Sequence, residues 1–118
     1  MKSKKICVVG AGRWGSNHIK TFNKIGCLHG IVEPNIKLLN DVQKTYPNVK
    51  VFNNVDDAIK YGFDGFTVAT PAESHYEIGK KIIKSKTSVL IERPLTTNLE
   101  DAIKLNELAK SNDVKLMV

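Results

Sequence analysis

Short apolar runs, rich in Val and Ile, alternate along the chain with longer stretches whose apolar residues recur every three or four positions. The runs are typical of strands buried on both faces, and the longer stretches are typical of amphipathic helices. The pattern predicts six strands, at residues 5–9, 28–32, 49–52, 63–69, 87–91 and 114–118. Strands that alternate with helices in this way indicate a single α/β domain, a doubly wound parallel sheet with helices on both faces.

Five helices are predicted between these strands from their apolar faces and end signals. The first spans residues 13–26, and the second begins at Asn35 and ends before Pro47. A short helix follows at residues 55–61, a fourth is capped by Ser74, and a fifth is capped by Thr97 or Asn98. The residues expected to face the core are Ile19, Phe22, Ile25, Leu38, Leu39, Val42, Tyr46, Ile78, Gly79, Ile82, Ile83, Leu99, Ala102, Ile103, Leu105, Leu108 and Ala109.

The turn after the first strand carries the strongest chemical signal. Gly10, Gly12 and Gly15 form a G-x-G-x-x-G pattern between a strand and a helix, with Arg13 and Trp14 at its two variable positions before the last glycine. In such a turn the first glycine permits a sharp bend, the second lets the backbone approach a pyrophosphate, and the third lets the helix pack closely on the strand. Unpaired N–H groups at the helix N-terminus bind the phosphates. The pattern therefore predicts a dinucleotide-binding Rossmann domain with strand order 3-2-1-4-5-6.

A carboxylate, Glu33, follows the second strand. In dinucleotide-binding folds an acidic residue at this point accepts hydrogen bonds from hydroxyl groups of the adenosine ribose. The alternative is an exposed acid that interacts with the dipole of the next helix. The glycine pattern upstream favours ribose binding. Because an anionic side chain would repel a 2′-phosphate, and Lys37 is the nearest cation, the sequence also predicts NAD in preference to NADP as the cofactor.

Two further segments follow the fourth and fifth strands. Ligands of a doubly wound sheet bind beyond the carboxyl ends of the strands, so both segments are expected to face one crevice. A proline just after each strand fixes the local backbone. The candidate cofactor contacts in these segments are Thr70, Pro71, His75, Glu92 and Pro94. For His75 two interpretations stay open, a cofactor contact or a polar residue of the first helical turn.

Composition and charge narrow the class of protein. With 118 residues, of which 42% are hydrophobic and 25% are charged, the chain has the composition of one globular domain. The net charge of +6 comes from lysines spread thinly along the chain, and the densest cluster, residues 80–86, has the spacing of a solvated helix face. Nucleic acid is therefore not an expected partner. No apolar run approaches the roughly 20 residues of a membrane span, and the basic start, residues 1–5, precedes too short an apolar run for a signal peptide. A cytoplasmic protein without a membrane partner is expected.

The two cysteines, Cys7 and Cys27, lie in apolar surroundings without a second Cys or a His at metal-ligand spacing. Both are predicted to be reduced thiols in the core. Neither a metal site nor a disulfide is expected, and reduced thiols are typical of a reducing compartment.

Taken in order, four segments of the chain resemble the motifs of one known family. G-A-G-R-W-G, V-E-P-N, A-T-P-A-E-S-H and E-R-P-L are similar to the cofactor domain of the glucose–fructose oxidoreductase/inositol dehydrogenase/rhizopine catabolism family, and the resemblance covers essentially all of the chain. Within the family the chain looks most like the sugar-nucleotide dehydrogenases that oxidise UDP-linked amino-sugar acids. The resemblance implies a nicotinamide cofactor, hydride transfer from a sugar carbinol, and a cis peptide bond before Pro94.

One residue departs from the family pattern. The family's last motif is Glu-Lys-Pro, whose lysine lies at the nicotinamide and the substrate and assists catalysis, whereas this chain has Arg93 at that position. Arginine effectively never loses its proton near neutrality. The resemblance therefore implies that Arg93, as the candidate catalytic residue, binds an oxygen of substrate or cofactor electrostatically instead of relaying a proton.

The family's second α/β domain, which carries substrate contacts, a His, often an Asp, and the oligomer interface, has no counterpart in residues 1–118. The expected function is therefore the NAD-binding domain of a sugar or sugar-nucleotide oxidoreductase, truncated or split and inactive alone. Its expected partners are NAD(H) and either a separately encoded substrate domain or further copies of the chain. A non-catalytic subunit that binds or senses NAD(H) is the alternative. S-adenosylmethionine or another adenosine ligand is disfavoured, because the third glycine and the two proline segments favour a dinucleotide.

Overall fold

The computed structural model describes residues 4–118, in which the apolar runs form six strands. They are β1 (Ile6–Val9), β2 (Leu28–Val32), β3 (Lys50–Phe52), β4 (Gly65–Val68), β5 (Ser88–Ile91) and β6 (Leu116–Met117). Every neighbouring pair is parallel, and the strand order is β3-β2-β1-β4-β5-β6. The predicted α/β class and strand order are confirmed. Part of the basic start, residues 1–3, lies outside the described residues.

The helices join consecutive strands as predicted. They are α1 (Arg13–Lys24), α2 (Ile36–Thr45), α3 (Val55–Tyr61), α4 (His75–Lys84) and α5 (Leu99–Ser111), with a short 3-10 helix at Ala72–Ser74 before α4. Asparagine side chains cap three of them: Asn35, Asn54 and Asn98 accept the N–H groups of Leu38, Asp57 and Asp101. The Asn35 cap and the Asn98 alternative for α5 are thus confirmed.

The sheet separates two hydrophobic clusters, one against each face. One face packs β1, β4 and β5 on α3, α4 and α5, and its fully buried side chains include Val68, Ile82, Ile91 and Leu105. The opposite face packs β1 and β2 on α1 through Val8, Ile19 and Ile31. Two-sided burial is typical of a parallel sheet. Because all six strands run in the same direction, their carboxyl ends lie at one common edge.

Several predictions about exposure and caps were wrong. Ser74 occupies the N-cap position of α4, but its side chain does not cap the helix: its hydroxyl donates to the Pro71 carbonyl and lies within hydrogen-bond distance of the Thr70 hydroxyl. Leu99 and Ile103 are exposed. At 100° per residue, Ile103 lies about 200° around α5 from the buried Leu105, and Leu99 lies about 240° from it. The other exposed residues of the predicted core are Ile25, at the end of α1, and Leu38, in the first turn of α2.

The strands and thiols show smaller differences. β6 contains only Leu116 and Met117, both paired with β5, so it is shorter than the predicted strand at residues 114–118. Both cysteines are free, and Cys7 is buried as predicted. Cys27 is only half-buried, because it lies in the turn between α1 and β2. Within residues 4–118 no helix combines the length and the apolar character that crossing a membrane requires.

Candidate functional site

The glycine turn connects β1 to α1 at the common carboxyl edge of the sheet. Gly10 has a φ of +103°, and a Cβ there would lie 2.7 Å from the carbonyl oxygen of Ala69. A Cβ on Gly15 would overlap the carbonyl oxygen of Gly10. A Cβ on Gly12, in contrast, would have nothing within 4 Å. The chain's own packing therefore requires glycine at two of the three positions and leaves open space at the middle one.

The N-terminus of α1 opens into this space. Gly12 is the N-cap, so no side chain caps the helix, and the first turn contains no acidic residue. Arg13 and Trp14 are exposed in that turn, Trp14 to 61%. An uncapped helix N-terminus presents unpaired N–H groups and a partial positive charge. With Arg13 beside it, this end of α1 is suited to an anion.

Glu33 is attached to the same turn. The side chain is only 8% exposed, and its Oε1 accepts the Ala11 N–H at 2.8 Å while its Oε2 accepts the Asn35 N–H at 2.9 Å. The structure therefore contradicts the alternative interpretation, in which Glu33 is an exposed acid at the start of a helix. A carboxylate has about four acceptor positions, so both oxygens keep capacity for further donors.

The main cleft lies on the other side of the glycine turn, at the ends of β4 and β5. It has a volume of about 770 Å³. It brings together Trp14, Thr70, Glu92, Arg93 and Pro94 from the sequence-predicted residues, with Ala69, Leu90, Ile91 and Val118 completing its lining. Glu33 does not line this cleft, so the candidate site extends from Glu33 across the glycine turn to Pro94.

The peptide bond between Arg93 and Pro94 is cis, as predicted. Arg93 is exposed and makes no ion pair with any side chain of residues 4–118. Its guanidinium is thus available at the rim of the main cleft.

His75 lies beneath the cleft and not on its surface. Its side chain is 1% exposed, with Nδ1 2.7 Å from the carbonyl oxygen of Pro94 and Nε2 2.8 Å from the carbonyl oxygen of Thr70. The ring therefore contacts the backbone of both segments at the ends of β4 and β5. Pro71 lies exposed beside it.

His18 is a residue of this region that the sequence analysis missed. Its Nε2 lies 2.7 Å from Oε1 of Glu92, and both side chains are partly buried. The available signal was spacing: His18 lies four positions after Trp14, so both are on one face of α1. Its partner, distant in sequence, could be identified only from the fold.

Two other kinds of chemistry receive no support within residues 4–118. No group of three or more His, Cys, Asp or Glu side chains is placed to hold a metal ion. Burial raises the pKa of the Cys7 thiol, so that thiol is not a nucleophile near neutrality.

A second cleft, of about 440 Å³, lies over β4, β5 and β6 on the face that α1 packs against. Its lining includes Ile6, Phe22, Thr67, Leu90 and Met117. It shares Leu90 with the main cleft, and its lining contains none of the predicted site residues.

Comparison with known proteins finds sequence similarity to oxidoreductases. Residues 4–118 match the family described as "Oxidoreductase family, NAD-binding Rossmann fold". Inositol 2-dehydrogenase from Corynebacterium glutamicum (strain R) is 28% identical over 116 residues, which cover 95% of this chain and 34% of that protein. UDP-N-acetylglucosamine 3-dehydrogenase from Acidithiobacillus ferrooxidans is 25% identical over 111 residues, covering 94% of this chain and 35% of that protein.

Solved structures show the same fold. The WlbA dehydrogenase from Bordetella pertussis, solved in complex with NADH and UDP-GlcNAcA, superposes with a TM-score of 0.91 at 24% identity. The match covers 98% of this chain and 36% of that chain. The present chain thus spans about a third of the length of the relatives that it matches.

Proposed function

The chain belongs to this oxidoreductase family with an NAD-binding Rossmann fold, and from that premise we propose that its candidate site binds NAD. The observation that carries the proposal is the contrast among the three glycines of the turn. Gly10 and Gly15 are required by the chain's own packing, whereas Gly12 faces open space at the uncapped N-terminus of α1. A pyrophosphate fits the chemistry of that space, because the N–H groups of the first turn would bind it.

The remaining predicted residues divide by their side of the turn. Glu33, beyond β2, would accept hydrogen bonds from the adenosine ribose, and the N–H donors it already accepts hold it in place. Arg13 and Trp14 would contact the cofactor near the pyrophosphate. On the far side, Thr70, Pro71, Glu92 and Pro94 would line the part that takes the nicotinamide half.

A preference for NAD over NADP follows from the charge at Glu33. A 2′-phosphate on the adenosine ribose would meet a largely buried carboxylate, and like charges in a poorly solvated place repel strongly. Lys37 is exposed on the next helix, one turn further along. Calorimetric titration of both cofactors at one salt concentration tests this preference. Fluorescence of Trp14, the single tryptophan and a residue of the cleft lining, gives a second measure of binding. We expect clearly tighter NAD binding, and equal or tighter NADP binding would contradict the proposal.

The activity proposed for the complete protein is oxidation of a sugar, cyclitol or sugar nucleotide. Bound NAD would supply the hydride acceptor. Inositol 2-dehydrogenase and UDP-N-acetylglucosamine 3-dehydrogenase, the relatives described above, bear the names of such reactions. Because the chain spans about a third of their length, we assign the substrate contacts and the base to a further domain, in a longer polypeptide, in a separate chain or contributed by a second copy.

Arg93 occupies the position of the family's catalytic lysine. Its guanidinium keeps its proton at neutral pH, so it would bind an oxygen of substrate or cofactor and would not relay a proton. Its exposure at the rim of the main cleft supports this role.

The same residue favours a second candidate function, a non-catalytic subunit that binds or senses NAD(H). The two candidates differ in what a partner does. A partner carrying the substrate domain would restore dehydrogenase activity to a split enzyme, whereas a sensing subunit would change its affinity for a partner when NAD is exchanged for NADH.

A further inference from the structure

The segment Glu92–Pro94 is held by two histidines from opposite faces of the sheet. His18 on α1 contacts the Glu92 carboxylate at 2.7 Å, and His75 on α4 contacts the Pro94 carbonyl oxygen at 2.7 Å. Helix α1 packs in one hydrophobic cluster through Ile19, and α4 packs in the other through Ile82. The contacts therefore fix the residues on either side of Arg93 to both layers of the fold.

His75 connects a second segment to the first. Its Nε2 lies 2.8 Å from the carbonyl oxygen of Thr70, so one ring contacts the chain after β4 and the chain after β5. Both contacts are to backbone oxygens, and the ring is fully buried. Both partners only accept, so a neutral ring donates to one of the two carbonyl oxygens at a time while it stays in contact with both segments.

Helix α1 also holds the His18 ring in place. Its ring stacks on Phe22, one helical turn later, with ring centroids 6.5 Å apart and an angle of 26° between the planes. Because His18 and Phe22 both lie on the packed helix α1, the contact with His18 ties the position of Glu92 to a rigid element.

We infer that His18 and His75 are positioning residues that shape the nicotinamide half of the cofactor site. This inference rests on the proposed function. The glycine turn follows the central strand β1, and Glu33 follows β2 on one side, where the adenosine ribose binds. The ends of β4 and β5 lie on the other side, so the two histidines act on the nicotinamide half and leave the adenosine half unchanged. They also set the place of Arg93, whose side chain makes no ion pair within residues 4–118.

The test compares NAD with ADP-ribose, which lacks only the nicotinamide. The variants are His18→Gln and His75→Gln, with His29→Gln as the matched control, since His29 is near the amino end of β2, away from the cleft. Wild type and His29→Gln are expected to bind both ligands. The two test variants are expected to lose about tenfold in NAD affinity, because each loses a hydrogen bond that positions the segment Glu92–Pro94. Their affinity for ADP-ribose is expected to stay within about twofold, as the adenosine side keeps all its contacts.

Each outcome decides the inference. Equal weakening of both ligands indicates general damage and contradicts it, as does unchanged NAD affinity in both test variants. If His75→Gln does not fold, His18→Gln, whose side chain is partly exposed, gives the same comparison.

Amide hydrogen exchange in the cofactor-free protein separates this inference from the proposed function. Exchange across residues 90–96 is expected to be faster in the two test variants than in wild type and His29→Gln. Unchanged exchange contradicts the positioning role whether or not NAD binds. Failure of wild type to bind either ligand contradicts the proposed function instead.

Discussion

Each oxygen of Glu33 accepts one backbone N–H, from Ala11 and from Asn35, and a neutral amide cannot replace both acceptors. Glu33→Gln is therefore expected to weaken NAD binding about tenfold. It should also narrow the difference between NAD and NADP, because the charge that repels a 2′-phosphate is gone. Calorimetry with both cofactors measures this, and Glu107→Gln, an exposed change on α5, is the control. An unchanged ratio of the two affinities would show that Glu33 does not select the cofactor.

The two thiols are expected to differ in reactivity. Burial raises the pKa of Cys7, so its thiol stays protonated and closed to reagents, whereas Cys27 is partly exposed. A chromogenic disulfide reagent should titrate one thiol in the native protein and two in denaturant. Because the folded-state pKa of Cys7 exceeds the unfolded value of about 8.5, its contribution to stability is complete below that pH and declines above it. Two native thiols reacting at equal rates would contradict the burial of Cys7.

At the scale of single residues the sequence predicted motifs better than contacts. Glycine spacing predicted the turn, because the chain's own backbone geometry dictates glycine at Gly10 and Gly15. His18 was missed and the role of His75 was left open, because their partners, Glu92 and the Pro94 carbonyl, are distant in sequence. A histidine's partner is decided by tertiary packing, which local pattern does not record.

The turn from β1 into α1 offers a matched pair of variants. Gly15→Ala would place a methyl group on the carbonyl oxygen of Gly10, and backbone cannot move aside cheaply, so unfolding should become easier by about 3 kcal/mol or more. Gly12→Ala meets no protein atom within 4 Å and should unfold near the wild-type temperature. It should nevertheless lose NAD affinity, because the methyl group fills the space proposed for the pyrophosphate. Thermal unfolding followed by circular dichroism, with calorimetry, measures both.

The reverse result at this turn would be informative. If Gly12→Ala bound NAD as wild type does, the open space at the helix N-terminus would not hold the pyrophosphate. A stable Gly15→Ala variant would contradict the close packing of α1 on β1.

Element order was predictable, and element limits and faces less so. Alternating β-branched runs and helical periodicity specify the six strands and five helices, because each period matches one kind of backbone. The shortness of β6 and the exposure of Leu99 depend on tertiary packing, which the local pattern does not record. A 3-10 helix precedes α4, and the hydroxyl of Ser74, its last residue, makes hydrogen-bond contacts with Thr70 and Pro71 instead of capping α4. The serine at a helix start does not reveal this 3-10 helix.

The molecule as a whole is expected to bind cofactor without turning over as a dehydrogenase. The regions proposed for the pyrophosphate and the adenosine ribose lie within one sheet, so some affinity for NAD should survive in this chain alone. Catalysis also needs a substrate held against the nicotinamide and a base to take its hydroxyl proton. Arg93 is not a substitute for a titrating lysine. Purified chain with NAD and a panel of UDP-sugars and inositols should therefore give no increase in NADH absorbance.

Sustained turnover that co-purifies with the chain would contradict this expectation. Activity that returns only when a separately encoded substrate domain is added would establish the split-enzyme form of the proposal. A partner that binds without restoring activity, with an affinity that depends on NAD or NADH, would favour the sensing subunit.

The carboxyl edge of the sheet, from Glu33 to Pro94, is proposed as the NAD site. Titration of the isotopically labelled chain with NAD, followed by amide chemical shifts, tests this proposal, because each part of the site reports separately. Saturable shifts are expected in residues 10–15, 33–35, 69–75 and 91–95, with the rest of the sheet nearly unchanged. An absence of shifts at saturating NAD, or shifts confined to the second cleft around Ile6, Phe22 and Met117, would contradict the proposal.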